Sequence, residues 1–245
     1  MKKLSIIARY NEDISWAKSL ESDIFIYNKG ENWDWDDIPR ADIPNYGRES
    51  ETYVRAILEF YHLLDEYSVV AFLQGNPFDH FDYPVEAINT CQSESIQFLA
   101  TSCVSYIYDE LTYNFGKSNL LISKLFNKNF SFMAYYDNSF SEDKNEKPNH
   151  TRGNEIATTL LFAYLLELKT FPNGILYPAG AQYIIPTKYI KNKSLSWWEE
   201  FYKLIIDWQK IVPGDDIGAY CERTWPLIWA HESESISSKQ DSSMN

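Results

Sequence analysis

The sequence predicts an α/β fold, a single domain in which helices flank a mainly parallel sheet in a Rossmann-like three-layer sandwich. Short apolar runs without alternation, such as Leu4–Ala8 and Val69–Leu73, are typical of strands buried on both faces. These runs alternate with segments whose apolar residues follow the period of a helix. The chain has 245 residues, of which 44% are apolar and 16% aromatic, so it is long enough to bury one large core.

Two strands joined by a short connection are predicted at the start of the chain. The strands are Leu4–Ala8 and Asp23–Asn28, and Asp13 or Ser15 can cap a short helix between them. A β-α-β unit of this kind makes neighbouring strands parallel. Residues 31–47 contain aspartates, prolines and tryptophans without a regular period and are predicted to be a loop.

The next predicted strand ends in an abrupt change of residue type. A helix over Arg48–Tyr61 leads into this strand, which spans Ser68–Leu73. Gln74–Pro77 stops it, because glycine permits unusual backbone angles and proline cannot remain in a central strand. Asp79 and His80 follow. Polar groups are therefore expected at the carboxyl end of a buried strand, where open α/β sheets bind their ligands.

The second half of the chain gives clear signals at its two ends and mixed signals between them. A helix is predicted over Pro84–Thr90, followed by mixed helix and strand signals over 95–108 and 118–126, a loop over 141–154 and an apolar helix over 156–168. An interior strand Gly180–Pro186 comes next, and then a helix that Thr187 caps and that ends at Ile190. The last predicted elements are a longer helix that begins at Ser194 and breaks at Pro213, and a final helix Asp216–Trp229. The domain is predicted to cover residues 1–232, followed by a disordered tail over 233–245.

Charge and cysteine usage limit the partners and the compartment. The net charge of −13 and the pI near 4.7 argue against nucleic acid as a partner, because phosphate binding needs a basic field. Cys91, Cys103 and Cys221 follow neither a metal-ligand nor a disulfide spacing, which fits a reducing compartment. The first apolar stretch is too short for a signal peptide and meets Arg9, and no run is long enough to span a bilayer. We therefore expect a cytoplasmic protein without a transmembrane segment.

Polar clusters at strand ends are the main functional signal, because the sequence contains no glycine-rich phosphate loop, no nucleophile elbow and no zinc motif. In a parallel sheet such clusters converge on one edge. They are Arg9, Asn11 and Glu12 after the first strand, Asn28 and Lys29 after the second, Asn45–Glu49 at a helix start, Gln74–His80, Gly180–Gln182, and Glu222–Arg223 on the last helix. Asp79 with His80 is a candidate metal or acid–base pair, and His80 is equally typical of a hydrogen-bonded loop histidine. Glu222 beside Arg223 is a candidate base or an ordinary surface ion pair.

Six ordered blocks of the sequence resemble the domain of unknown function 3431 family. They cover about a fifth of the residues, and the segment from about 91 to 175 is not among them. The blocks are Ile7–Trp16, Ile26–Gly30, Pro44–Tyr53, Phe72–His80, Gly180–Pro186 and Tyr220–Pro226. That family is in turn similar to the GT-A class of nucleotide-sugar glycosyltransferases, which implies a GT-A-like fold.

The resemblance implies roles for the clustered residues. Arg9, Asn11 and Glu12 would border the nucleotide, with Gln74 and Asn76, and Arg48 would neutralise its diphosphate. Asp79 and His80 would hold Mn²⁺ or Mg²⁺ or the donor sugar, Gly180 and Gln182 would form the acceptor floor, and Glu222 would be the base that Arg223 orients. Gln74-Gly75-Asn76 stands where the class has an Asp-x-Asp metal motif, so a metal-independent enzyme is equally compatible.

Three functions fit these observations. The first is transfer of a sugar from a nucleotide-sugar to a glycan or another hydroxyl acceptor. The second is a carbohydrate-binding protein without catalysis, since tryptophan and tyrosine faces bind sugar rings. The third is a hydrolase that acts on phosphate esters or glycosides through Asp79, His80 and Glu222.

Overall fold

The computed structural model describes residues 1–32, 37–91, 95–101, 103–107, 112–114, 133–135, 174–211 and 217–230. Its strands are β1 (Lys3–Arg9), β2 (Asp23–Asn28), β3 (Arg40–Asp42), β4 (Val69–Gln74), β5 (Gln97–Phe98), β6 (Cys103–Ile107), β7 (Thr112–Asn114), β8 (Met133–Tyr135), β9 (Gly174–Pro178) and β10 (Tyr183–Pro186). Its helices are α1 (Arg48–Phe60), α2 (Pro84–Thr90), α3 (Thr187–Lys191), α4 (Leu195–Ile211) and α5 (Ile217–Ala230). The predictions for 118–126, 141–154, 156–168 and the tail 233–245 lie outside the described residues.

Six of the strands form one mixed sheet, in the order β3-β2-β1-β4-β10-β5. The four strands from β3 to β4 are parallel, whereas β10 is antiparallel to both of its neighbours. The carboxyl ends of β1, β2 and β4 therefore share one edge with the start of β10. At that edge Arg9 lies opposite Asn28, and Ala8 lies opposite Gln74.

Alternation along β1 and β4 builds a hydrophobic layer on each face of the sheet. Ile6 and Phe72 join the layer beneath α1, α4 and α5, and Ile7 and Leu73 join the layer beneath α2. The first layer is largely aromatic: Trp229 stacks on Phe72, with 5.7 Å between the ring centroids. Helices thus cover both faces of the sheet, which confirms the α/β class.

The predicted strands and helices are largely confirmed, with three corrections. β3 lies inside the predicted loop 31–47, because a three-residue edge strand carries no apolar pattern. The predicted strand Gly180–Pro186 begins only at Tyr183, since Gly180 and Ala181 turn with φ of +97° and +47°. Thr187 does not cap its helix, because its hydroxyl donates a hydrogen bond to the Tyr67 carbonyl (2.9 Å).

The described residues also bear on the cysteine and membrane predictions. Cys91 and Cys221 are buried, as small apolar side chains usually are. No helix in the described ranges is both long and apolar enough to cross a membrane.

Candidate ligand-binding cleft

A cleft of about 360 Å³ opens at the edge of the sheet where β1, β2 and β4 end. This volume is within the range of small-molecule sites. The residues that line it are Ala8, Arg9, Tyr10, Glu12, Lys29, Asn45, Arg48, Glu49, Gln74, Gly75, Asn76 and Asp79. Cationic, carboxylate and amide side chains therefore meet in one concave surface.

The cleft coincides with the point where the strand order reverses. From β1 the chain continues to β2 on one side, and then returns to place β4 on the other side. The loops that follow β1 and β4 consequently diverge and leave a crevice between them. Open α/β sheets bind ligands at this switch point, outside the carboxyl ends of the strands.

Arg9 fixes the loop that follows β1. Its buried guanidinium donates to the carbonyls of Tyr10 (3.2 Å), Glu12 (3.0 Å) and Glu31 (2.8 Å), and to Asn28 Oδ1 (2.6 Å). Burial lowers the pKa of this guanidinium. Arg9 therefore joins the loops after β1 and β2 into one rigid wall.

We expect Gly30→Ala to destabilise the protein by about 3 kcal/mol, because a Cβ at residue 30 would lie 1.5 Å from the Tyr10 carbonyl oxygen. Gly75→Ala is the matched control. There the added Cβ would lie 2.4 Å from Glu12 Oε2, at the far end of a flexible side chain. Its displacement breaks an exposed hydrogen bond from the Tyr10 amide, so we expect a loss of about 1 kcal/mol. Urea unfolding measures both losses of stability. Equal losses would contradict a rigid contact between Gly30 and the Tyr10 carbonyl.

A buried ionic network supports the opposite side of the cleft. Lys29 Nζ lies 2.8 Å from Glu51 Oε2, and these side chains are 4% and 0% exposed. Glu51 Oε1 also accepts hydrogen bonds from Arg55 Nε (2.8 Å) and from the Tyr202 hydroxyl (3.0 Å). Burial lowers the pKa of Lys29, and the charge of Glu51 opposes that shift.

Lys29 also holds the start of α1 in an uncommon conformation. Gly47 and Arg48 both adopt left-handed backbone angles, with φ of +54° and +49°. This conformation costs about 1–2 kcal/mol for a residue other than glycine. The Lys29 ammonium donates to the carbonyls of Tyr46 (2.7 Å) and Arg48, and so stabilises the turn that carries Arg48 into the cleft.

Helix α5 braces two walls of the cleft at once. Gly218 lies so close to Arg48 that an added Cβ would come within 2.9 Å of the Arg48 Cβ. One turn further along α5, Glu222 Oε1 accepts a hydrogen bond from the Gly180 amide (2.7 Å). Gly180 in turn packs against the imidazole ring of His80, which follows Asp79.

Two tyrosines lie in the aromatic layer beneath the cleft. The side chains of Tyr53 and Tyr183 are fully buried, and their hydroxyls have no hydrogen-bond partner among the described residues. Burial raises the pKa of both hydroxyls, and the charges of Glu49 and Glu222 raise it further. The tyrosines are therefore neutral donors placed near two carboxylates.

Six of the predicted site residues line the cleft: Arg9, Glu12, Arg48, Gln74, Asn76 and Asp79. Asn11 lies between the lining residues Tyr10 and Glu12 in the chain, and its side-chain oxygen accepts a hydrogen bond from the Glu31 amide (2.7 Å). His80, Gly180 and Glu222 form a second group behind the Asp79 turn. Gln182 is buried and its amide donates to the Pro77 carbonyl (3.0 Å), and the side chain of Arg223 is outside the description.

Lys29, Glu49 and Tyr10 also line the cleft. The sequence places Lys29 and Glu49 in polar clusters without giving either of them a role, and it does not single out Tyr10. Lys29 directly follows β2, so its place at the carboxyl edge was a usable signal. For Glu49, the neighbouring Arg48 was the stronger candidate for anion binding. Glu51 gave no signal, since an acid in the first turn of a helix is usually solvated.

The donor set only partly fits a divalent cation. Asp79, Glu12 and Glu49 supply carboxylates to the cleft, and Gln74 and Asn76 supply amides. Within the described ranges, no group of three or more His, Cys, Asp or Glu side chains is placed to hold a metal ion. His80 packs on Gly180 rather than lining the cleft with Asp79.

The fold and the cleft define an α/β protein with a polar crevice at the switch point of its sheet. The model of the family described as "Protein of unknown function (DUF3431)" matches residues 5–245, and the chain belongs to that family. This confirms the resemblance carried by the six sequence blocks. No curated protein and no solved structure matches the chain.

Proposed function

We propose that this protein is a glycosyltransferase that moves a sugar from a nucleotide-sugar donor to a hydroxyl group of a glycan or a similar acceptor. The observation that carries the proposal is the position and charge of the cleft. It lies at the switch point, where sheets with the strand order 3-2-1-4 bind nucleotides, and both cations and carboxylates line it. A GT-A-like arrangement of this sheet belongs to the same proposal.

The cationic side of the cleft suits the leaving nucleoside diphosphate. As the bond between the anomeric carbon and the phosphate oxygen breaks, negative charge develops on the diphosphate. Arg48 and the amino end of α1 would stabilise that charge. Lys29 supports Arg48 from below, and Arg9 keeps the nucleotide wall in place. Because these groups are fixed before the ligand arrives, little reorganisation is needed during the reaction.

The Asp79 side of the cleft suits the donor sugar. The amides of Gln74 and Asn76 can pair with sugar hydroxyls, and the carboxylate of Asp79 can accept hydrogen bonds from them. When Mn²⁺ or Mg²⁺ is bound, Asp79 is the side chain in this wall that would hold it, and the cation would neutralise diphosphate charge. No role proposed for another residue depends on the cation.

The acceptor would enter beside Gly180, and one carboxylate would take its hydroxyl proton as the oxygen bonds to the anomeric carbon. Glu49 and Asp79 line the cleft and can reach such a hydroxyl. Glu222 is the base that the sequence predicts. Its contact with the Gly180 amide favours a different role, in which Glu222 positions the Gly180 turn. The catalytic role of Glu222 therefore stays a prediction.

Two substitutions of Glu222 separate these roles. Glu222→Gln keeps an oxygen that accepts the Gly180 hydrogen bond but cannot take a proton, whereas Glu222→Ala removes both. If Glu222 positions the turn, we expect Gln to retain turnover within about threefold and Ala to lose at least about tenfold, mainly through KM. Equal losses of kcat of about a hundredfold or more in both variants would instead identify Glu222 as the base.

The proposed activity is tested by incubating the protein with a panel of UDP-, GDP- and ADP-sugars, with oligosaccharide acceptors, and with either Mn²⁺ or EDTA. Release of nucleoside diphosphate together with a lengthened acceptor supports the proposal. Binding of glycan without donor turnover would favour the carbohydrate-binding alternative. Release of sugar or phosphate from simple esters without an acceptor would favour the hydrolase.

A further inference from the structure

Tyr53 and Tyr183, in the aromatic layer beneath the cleft, carry hydroxyl groups that the surrounding side chains do not satisfy. Both residues are 0% exposed, and neither hydroxyl finds a hydrogen-bond partner in the part of the chain that the structure describes. A buried hydroxyl without a partner is costly, and native proteins nearly always supply one, often an ordered water molecule. The two hydroxyls therefore point to a partner that binds in the interior.

The two tyrosines lie on either side of one phenylalanine. The ring of Tyr53 packs on Phe72, with 5.0 Å between the centroids, and Tyr183 lies opposite Phe72 where β10 pairs with β4. The Tyr183 hydroxyl also contributes to the raised pKa of Tyr53, which indicates that the two hydroxyls are close together. Gln74 follows Phe72 by two residues on the same strand and lines the cleft. The pair of hydroxyls is therefore directly beneath the cleft floor.

Two carboxylates lie one helical turn nearer the cleft than the tyrosine rings. Glu49 precedes Tyr53 by four residues on α1, so both project from one face of that helix. Glu222 precedes Trp225 by three residues on α5, and the ring of Trp225 lies 6.2 Å from the ring of Tyr53. Glu49 lines the cleft, and Glu222 binds the Gly180 amide beside it. The charges of both carboxylates act on both tyrosine hydroxyls.

The chemistry of these four groups matches one water molecule. The two tyrosine hydroxyls can donate to the lone pairs of the water oxygen, and the water can donate its two protons to the two carboxylates. Burial and the neighbouring negative charges raise the pKa of both tyrosines, which keeps them protonated as donors. Glu49 and Glu222 would repel an anion in this position, and an apolar group would leave the hydroxyls unpaired.

We propose that Tyr53 and Tyr183 are positioning residues that bind a buried water molecule, and that this water holds the carboxylate of Glu49 in the cleft. Hydrogen bonds from water stabilise the charged form of a carboxylate, which is the form that can accept a proton from an acceptor hydroxyl. The same water connects Glu49 to Glu222 and so to the Gly180 turn. The effect on turnover rests on the proposed function, whereas the water site does not depend on it.

A high-resolution crystal structure of the wild-type protein tests the water site directly. We expect an ordered water within hydrogen-bond distance of both tyrosine hydroxyls and of the Glu49 carboxylate. Either hydroxyl bound to a protein group instead, or a water that does not reach Glu49, would overturn the proposal.

Thermal unfolding of Tyr53→Phe, Tyr183→Phe and the double variant gives a second test of the water site. Each single substitution is expected to lower the melting temperature by about 2–4 °C, because a hydrogen bond to the water is lost. The double variant is expected to lose clearly less than the sum, since both hydroxyls serve the same water. Single variants that keep or raise the melting temperature would overturn the proposal, because the hydroxyls would then have been unpaired.

Turnover separates positioning of Glu49 from a general effect on stability. We expect Tyr53→Phe to lower kcat by about fivefold to tenfold with KM within about twofold, and to change kcat by less than about twofold when Glu49→Gln is already present. The matched control is Tyr27→Phe, which removes a direct hydrogen bond to Glu59 Oε2 (2.5 Å). It is expected to lower the melting temperature but to leave kcat and KM within about twofold.

An equal loss of kcat from Tyr53→Phe with and without Glu49→Gln would overturn the positioning role. If the water is found in place and both tyrosine variants are less stable, but the wild-type protein turns over no donor, the proposed function fails and the water site stands.

Discussion

Glu51→Gln is expected to lower the free energy of unfolding by about 3 kcal/mol or more, although it creates no cavity in the core. The substitution retains the shape of the side chain but removes its charge. Lys29, whose side chain is 4% exposed, would then lie buried without its ion-pair partner. Desolvation of an unpaired ammonium is costly, and Tyr202 and Arg55 would lose an anionic acceptor at the same time. Denaturant unfolding measures the change.

Asp65→Asn is the matched control for this prediction. It removes a carboxylate that pairs with Lys191 at 2.9 Å while 75% exposed, and we expect it to cost less than about 1 kcal/mol. Adding Lys29→Met to Glu51→Gln is expected to recover part of the loss, because the unpaired buried charge is then removed. Similar losses for Glu51→Gln and Asp65→Asn would contradict a buried network beneath the cleft.

Arg48→Asn is expected to weaken donor binding by about 10- to 100-fold while leaving the melting temperature unchanged or slightly higher. Arginine at residue 48 has a left-handed backbone with φ of +49°, which asparagine adopts more readily. The Lys29 hydrogen bond to the residue 48 carbonyl uses a backbone atom, so the substitution preserves it. The variant therefore separates the charge delivered to the cleft from the stability of the turn.

Lys188→Asn serves as the control for Arg48→Asn. Lys188 is an exposed cation on α3, which follows β10 at the opposite edge of the sheet from the cleft. We expect its removal to leave the donor affinity within about twofold, since exposed charges beyond a Debye length are screened. Donor binding that falls equally in both variants would indicate a general effect of net charge, and binding retained in Arg48→Asn would contradict the proposed diphosphate site.

The sequence predicts the sheet and the cleft edge well because their signals are local. Leu4–Ala8 is a short apolar run, Asp23–Asn28 is rich in β-branched and aromatic residues, and both patterns are typical of strands. The change at Gln74–Pro77 ends β4 within one residue of its predicted limit. Parallel pairing then places Arg9 and Gln74 at one edge of the sheet, independently of the contacts that their side chains make. Placement at the edge could therefore be predicted for most of the candidate residues.

Contacts between distant residues are what the sequence could not supply. The Lys29–Glu51 pair depends on how α1 packs beside β2, and the hydrogen bond from Gly180 to Glu222 depends on how α5 lies against the start of β10. No local pattern encodes either distance. For the same reason the sequence could not separate His80 from Asp79, although the two are adjacent in the chain.

Thermal unfolding with nucleotide-sugar donors tests the central claim, that the cleft binds such a donor, most directly. A donor present at a hundred times its Kd stabilises the folded state by about 2.7 kcal/mol. For a chain of this size we expect the melting temperature to rise by about 5–10 °C with at least one UDP-, GDP- or ADP-sugar, and by much less in Arg48→Asn. A melting temperature that no donor in the panel changes, at millimolar concentration and with or without Mn²⁺, would contradict the claim.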